Sequence, residues 1–292
     1  MSPIFDPRIT PLRLDIAARV LEGQVEVPQF ADANLKQVRL PTAMMLKAAD
    51  PEAEAVSQLL YGESFDVYEE SNGWAWGQSK VDDYVGYVRT EALGAPPEDE
   101  PNHCIKMART PVFSRPSVKS HIRMLLDLNA RVYVAHNHDR LTDDRYTFIE
   151  GLGWVLTEAL RPIDQPEGDP AAVAQRFLGA AYVWGGRSTV GCDCSGLVQA
   201  SLLACGIECP RDADMQEEAL GQEVAYGPNY TGLRRNDLVF WRGHVGIMLS
   251  DQHFLHANAH FMTVTVEPLV EAADRINRST GPVTSIKRLP GY

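Results

Sequence analysis

Two breaks in texture decide how this chain can fold. Ala95-Pro96-Pro97-Glu98-Asp99-Glu100-Pro101 is a run of prolines and acids, and residues 161–170 form a second proline-, glycine- and acid-containing stretch. Proline fixes φ and removes a backbone donor, so neither stretch fits a helix interior or a central strand. They divide the 292 residues into an arm (1–36), two β-type segments (37–95 and 102–162) and a mixed segment (168–292). In the arm, Leu14, Ala17, Ala18 and Leu21 recur at helical spacing, which predicts a helix over 12–21. The first β-type segment holds short runs such as Phe65-Asp66-Val67-Tyr68 and Trp74-Ala75-Trp76, separated by polar turns such as Glu70-Ser71-Asn72-Gly73. Short strands with regular turn signals predict a small all-β barrel. A weak repeat follows: Ala130-Arg131-Val132-Tyr133-Val134 corresponds to Phe65-Asp66-Val67-Tyr68, and Gly153-Trp154-Val155 to Gly86-Tyr87-Val88. Two tandem barrels are expected, with one larger β-domain as the alternative.

The third segment is of another kind. Residues 171–178 and 194–205 read as helices, the latter with Leu197, Val198, Leu202 and Cys205 on one face and Gly206 as C-cap. Asp237-Leu238-Val239-Phe240, Val245-Gly246-Ile247-Met248-Leu249 and Met262-Thr263-Val264-Thr265-Val266 read as strands. A helix followed by antiparallel strands makes this segment α+β.

Charge narrows the function. With 39 acidic and 27 basic side chains the formal net charge is −12. A nucleic-acid binder needs the opposite balance to neutralise phosphates, and an anionic bilayer would repel this chain. No basic stretch leads into an apolar one at the start, and no run of 18 apolar residues occurs, so a cytoplasmic, non-membrane protein is expected. The five cysteines are odd in number, and Cys192, Cys194, Cys205 and Cys209 are clustered. That is not a disulfide framework. Their C-x-C and C-x3-C spacings also differ from the paired C-x2-C of zinc ribbons, and no motif for a metal or organic cofactor is present.

The densest chemical signal is Gly191-Cys192-Asp193-Cys194-Ser195-Gly196-Leu197-Val198. Cys194 opens a predicted helix, where unpaired N–H groups and the helix dipole favour a thiolate. A cysteine nucleophile needs a base, and the base an orienting partner. His244 begins an apolar strand and supplies the imidazole. His256, on the following strand, is the first choice for the partner, with His253 and His260 as competitors.

These stretches, with Tyr182-Val183-Trp184-Gly185-Gly186, Pro210-Arg211-Asp212, Asn236-Asp237-Leu238-Val239-Phe240-Trp241 and Leu255-His256-Ala257, resemble the NlpC family of papain-like cysteine peptidases over residues 168–292. Both β-type segments resemble bacterial SH3-like domains. The resemblance implies two SH3-like barrels followed by a papain-like catalytic domain, in which a helix bearing the nucleophile packs on an antiparallel sheet. It makes Cys194 the nucleophile, His244 the base, His256 the third polar residue and Tyr182 a neighbour of the nucleophile. The backbone N–H of Cys194 is an expected oxyanion donor. The layout is similar to a subgroup of murein-peptide-recycling enzymes that cleave after γ-D-glutamate in short peptides with a free N-terminal L-alanine. In that subgroup the first SH3-like domain helps to bind the amine, and Asp82-Asp83-Tyr84 and Gln58-Leu59-Leu60-Tyr61-Gly62-Glu63 match it. A free ammonium needs anionic or acceptor partners, so Asp193, Asp212, Glu63 and Tyr84 are expected substrate contacts. Ser195 is expected to bind the peptide backbone, and Arg211 to pair with a substrate carboxylate or with a nearby aspartate. Ala213 departs from relatives that carry serine there. The expected partner is a murein tri- or tetrapeptide. A general wall hydrolase, amidase or acyltransferase on the same scaffold, or a non-catalytic wall-peptide-binding module, are the alternatives.

Overall fold

A computed structural model describes residues 5–135 and 145–292. Residues 1–4 of the expected arm and 136–144 of the expected second barrel lie outside the described residues. The chain divides into two compact units: one takes the described residues up to Ile105 with Thr110–Leu160, the other Lys106–Arg109 with Arg161–Tyr292.

In the first unit the arm is not helical. Ile16–Ala18 is a short strand paired in parallel with Gln29–Ala31, followed by a 3-10 turn over Arg19–Leu21. Ile16, Ala17 and Ala18 are all buried, whereas Leu14 is 98% exposed. Consecutive burial is incompatible with a helical stripe, and strand pairing overrides the weak spacing signal.

The first β-segment forms one sheet, in the order Ala55–Leu60, Thr42–Leu46, Val85–Arg89, Trp74–Ser79, Ser64–Ser71, Asn34–Val38, Leu93–Gly94. Phe65 and Val67 alternate with Asp66 and Tyr68, and with Val38, Met45, Leu59 and Val88 they fill one core. Register shifts between Met45 and Leu46 and between Val67 and Glu69 mark bulges, which bend strands. Tyr84 lies within this core, and Glu63 is buried with Oε2 accepting the Leu60 N–H at 2.9 Å.

The second β-segment forms two smaller sheets. One orders Arg131–Val132, His103–Ile105, Leu160–Pro162, and the other Ile122–Asp127, Arg109–Phe113, Gly153–Leu156, Tyr146–Ile149. Ile105, Val112, Leu126, Val132 and Val155 form a core separate from the first.

The second unit is built on an eight-stranded sheet among the described residues. Its order is Gly191–Cys192, Ala181–Tyr182, Thr263–Pro268, His253–Asn258, His244–Met248, Leu238–Trp241, Ser285–Arg288, Gln222–Glu223. Four helices accompany it: α1 (Pro170–Ala174), α2 (Cys194–Ala204), α3 (Ala213–Ala219) and α4 (Leu269–Ser279). α1 is shorter than predicted and ends in a 3-10 turn over Gln175–Phe177; the Asp169 side chain caps it by accepting the N–H groups of Ala171 and Ala172. Ten of the eleven α2 residues are buried, so this helix is a core element and contacts the His244–Met248 strand. Gly206, at φ +73°, ends it, as a left-handed C-terminal residue does. Leu269, Ala272, Ala273 and Ile276 of α4 pack on Val239, Trp241, Met248 and Phe254 of the sheet.

Candidate active site

The start of α2 is fixed by Asp193. Its Oδ1 accepts the Gly196 N–H at 2.7 Å, an N-cap bond worth about 1 kcal/mol. Its Oδ2 accepts the Gly185 N–H at 2.8 Å, which ties the preceding loop to the helix start. Arg211 closes the arrangement, donating from Nη2 to Oδ2 at 2.6 Å and from Nη1 to Oδ1 at 3.0 Å and to Ser195 Oγ at 2.9 Å. Arg211 is 1% exposed and Asp193 6%. A buried charge persists only when paired and hydrogen-bonded, so these two are spent on each other. Of the two partners open to Arg211, the aspartate is the one it takes. Asp193, Ser195 and Arg211, the expected substrate contacts, thus lie together in a network that holds the start of the nucleophile's helix. Gly196 is part of it: a Cβ there would lie 2.1 Å from the Gly186 carbonyl oxygen.

Cys194 is the first residue of α2 and 5% exposed. Its Sγ lies 4.0 Å from the Gly243 carbonyl oxygen, beside the strand that starts at His244. Burial, with the Asp193 charge adjacent, pushes the thiol up to about 12; the N–H groups of Val245 and Ser195 act in the other direction. Tyr182 pairs with Cys192 across parallel strands. Its hydroxyl is raised above the ordinary phenol range by burial and by the neighbouring Cys194, so it remains a donor.

The two histidines face each other across adjacent strands. His244 Nε2 and His256 Nδ1 are 2.8 Å apart, and the Trp241 ring lies against His244 at 5.7 Å between centroids. His256 is fully buried. Of the competitors, His253 is at the far end of the same strand with Nδ1 3.4 Å from Ser250 Oγ, and His260 packs edge-on against Phe261. Desolvation, with His256 and Arg275 nearby, pushes His244 down to about 3. Both shifts favour the uncharged forms, a thiol and a neutral imidazole.

That shift has a stability consequence. A histidine with an ordinary value of 6.5 and a folded value near 3 takes up its proton more readily in the unfolded chain. Its contribution is complete above pH 6.5 and lost as pH falls from 6.5 towards 3. We expect denaturant unfolding at pH 5 to show a loss of about 2 kcal/mol relative to pH 7 that His244→Phe removes. An equal acid sensitivity in both proteins counts against a desolvated, neutral His244.

Two residues not foreseen from the sequence extend the chain of contacts. Glu267 Oε1 is 2.8 Å from His256 Nε2, and Arg275 of α4 donates to the same oxygen. Burial opposes ionisation of Glu267, but His256 and Arg275 hold its carboxyl below the usual range. Asp212 is the N-cap of α3 but makes no capping side-chain bond, and Glu63 and Tyr84 belong to the first unit. Among the described residues no group of three or more His, Cys, Asp or Glu side chains is placed to hold a metal ion.

Comparison with known proteins fits this geometry. Residues 179–274, which include Cys194, His244 and His256, match the NlpC/P60 family, and residues 45–93 match the bacterial dipeptidyl-peptidase Sh3 domain. One SH3 domain is matched, where two were expected. Dipeptidyl-peptidase 6 of Lysinibacillus sphaericus is 24% identical over 76% of this chain and 87% of its own length. The gamma-D-glutamyl-L-lysine dipeptidyl-peptidase of Bacillus subtilis is 31% identical over 38% of this chain and 39% of its own length. A crystal structure of an NlpC/P60 family protein from Bacillus cereus superposes with a TM-score of 0.70 at 18% identity, covering 87% of this chain and 99% of that one, a likeness of fold.

Proposed function

We propose that this protein is a cysteine endopeptidase that hydrolyses the γ-D-glutamyl–diamino acid bond of short murein peptides bearing a free N-terminal L-alanine. The observation that carries the reading is the 2.8 Å contact between His244 Nε2 and His256 Nδ1, next to a cysteine that opens α2. The name of the similar Bacillus subtilis enzyme supports the bond class.

In this mechanism the substrate carbonyl enters beside Cys194. The Sγ proton passes to His244 as sulfur attacks, so charge separates only while the tetrahedral adduct forms. The developing oxyanion is met by the N–H of Cys194, which the first helical turn leaves without an intrahelical partner, and by the Tyr182 hydroxyl. His244 returns the proton to the leaving amine. Water, deprotonated by the same imidazole, then hydrolyses the thioester. The proposal keeps the second β-segment as an SH3-like module and sets the reaction in the cytoplasm, where released peptides rather than polymer are encountered.

The test is hydrolysis of L-Ala-γ-D-Glu-diaminopimelate against its N-acetylated form. Acetylation removes a charge-assisted hydrogen bond, worth about 1.5–3 kcal/mol, so kcat/KM should fall roughly ten- to hundredfold. Equal cleavage of both peptides, or of polymeric peptidoglycan, would replace the recycling role by that of a general wall hydrolase.

A further inference from the structure

We propose that Glu267 is a positioning residue that sets the tautomers of both histidines, making the site a Cys194–His244–His256–Glu267 chain; this rests on the cysteine-peptidase reading. A carboxylate only accepts, so the 2.8 Å contact to Glu267 Oε1 requires the proton of neutral His256 to sit on Nε2. His256 Nδ1 is then a lone pair. The 2.8 Å contact to it requires the proton of His244 to sit on Nε2. That leaves His244 Nδ1 unprotonated and able to accept the thiol proton. The opposite tautomer would put a hydrogen on Nδ1 and remove the base.

The remaining neighbours are consistent with this order. Asn258 Nδ2 also lies 3.2 Å from His256 Nε2, but its two hydrogens have other acceptors, Thr265 Oγ1 at 3.0 Å and the Thr263 carbonyl at 3.5 Å. The Asn258 amide is held in this orientation because its Oδ1 accepts the Phe261 N–H at 2.9 Å. The charged and titratable groups facing the histidine pair are Glu267 on the neighbouring strand and Arg275 on α4. Arg275 donates to the oxygen that faces His256, keeping it an acceptor and the carboxyl ionised.

Two measurements test the assignment. Imidazole 15N shifts of the Cys194→Ala protein should show pyrrole-like Nε2 and pyridine-like Nδ1 on both rings, and need no turnover. Glu267→Ala should lower kcat between about tenfold and a hundredfold with KM near that of the wild type, since the wrong tautomer disables the base without touching substrate. Glu267→Gln keeps an acceptor between Arg275 and His256 and should restore most of kcat. In both variants the acid limb of kcat/KM should move to lower pH, because a negative charge that favours imidazolium is gone. A proton on Nδ1 of either ring at neutral pH, or wild-type kcat in Glu267→Ala, overturns the proposal. Activity surviving in Cys194→Ala would instead overturn the peptidase reading and leave the 15N result to judge Glu267 alone.

Discussion

Cys194→Ala should lower peptide hydrolysis on the order of 10⁴- to 10⁶-fold, the scale lost when a covalent nucleophile is removed. The size follows from the arrangement at the head of α2. In the proposed mechanism only the sulfur forms the acyl intermediate, and the donors around it act on an oxyanion that cannot form without attack. The fold should survive, because the alanine Cβ occupies the same place and the Asp193 cap is untouched. Cys192→Ala, Cys205→Ala and Cys209→Ala should stay active; these thiols are buried and none of them opens α2. The measurement is single-turnover hydrolysis of the free tripeptide by each variant, alongside thermal unfolding. Turnover above a trace in a folded Cys194→Ala protein would sink the proposed mechanism.

Arg211→Met should destabilise the protein by about 3–5 kcal/mol, the cost of leaving one member of a buried ion pair without the other. Asp193 would keep its charge in an apolar setting, held by two backbone N–H groups and the Ser195 hydroxyl. Activity should fall with it, because the same carboxylate joins the Gly185 loop to the nucleophile's helix. Combining Arg211→Met with Asp193→Asn removes the stranded charge and should recover part of the stability, a non-additivity that a double-mutant cycle measures. Urea unfolding of the four proteins decides the matter: a single-mutant loss below about 1 kcal/mol would mean the pair carries little of the scaffold.

The elements that carry the candidate site were largely legible from residue order, because they are strongly patterned. The helix at 194–205 has a capping aspartate, an apolar face and a terminal glycine, and it forms over Cys194–Ala204. His244 and His256 sit on strands whose apolar runs were visible. What escaped was non-local. Glu267 belongs to no motif: it is one acid at the end of an apolar strand run, and only the pairing of Phe254 with Glu267 brings it beside His256. α4 did carry a signal, with Leu269, Ala272, Ala273 and Ile276 at helical spacing. The arm failed for the opposite reason. Its spacing matched a helix, but Ile16–Ala18 gains more by pairing with Gln29–Ala31 than a short isolated helix gains from its own bonds.

Burial that disfavours charge on both Cys194 and His244 bears on how the proposed peptidase would be inhibited. A reagent that relies on meeting a ready-made thiolate is disfavoured by the upward push on the thiol, and the sulfur is shielded besides. Covalent inhibitors of this site must first dock as the substrate does and present a carbonyl or nitrile whose developing anion reaches the helix N–H groups, so that sulfur loses its proton only as the bond forms. Selectivity over the cell's abundant free thiols would then be a property of recognition and of the proton transfer to His244, with intrinsic electrophile strength kept low.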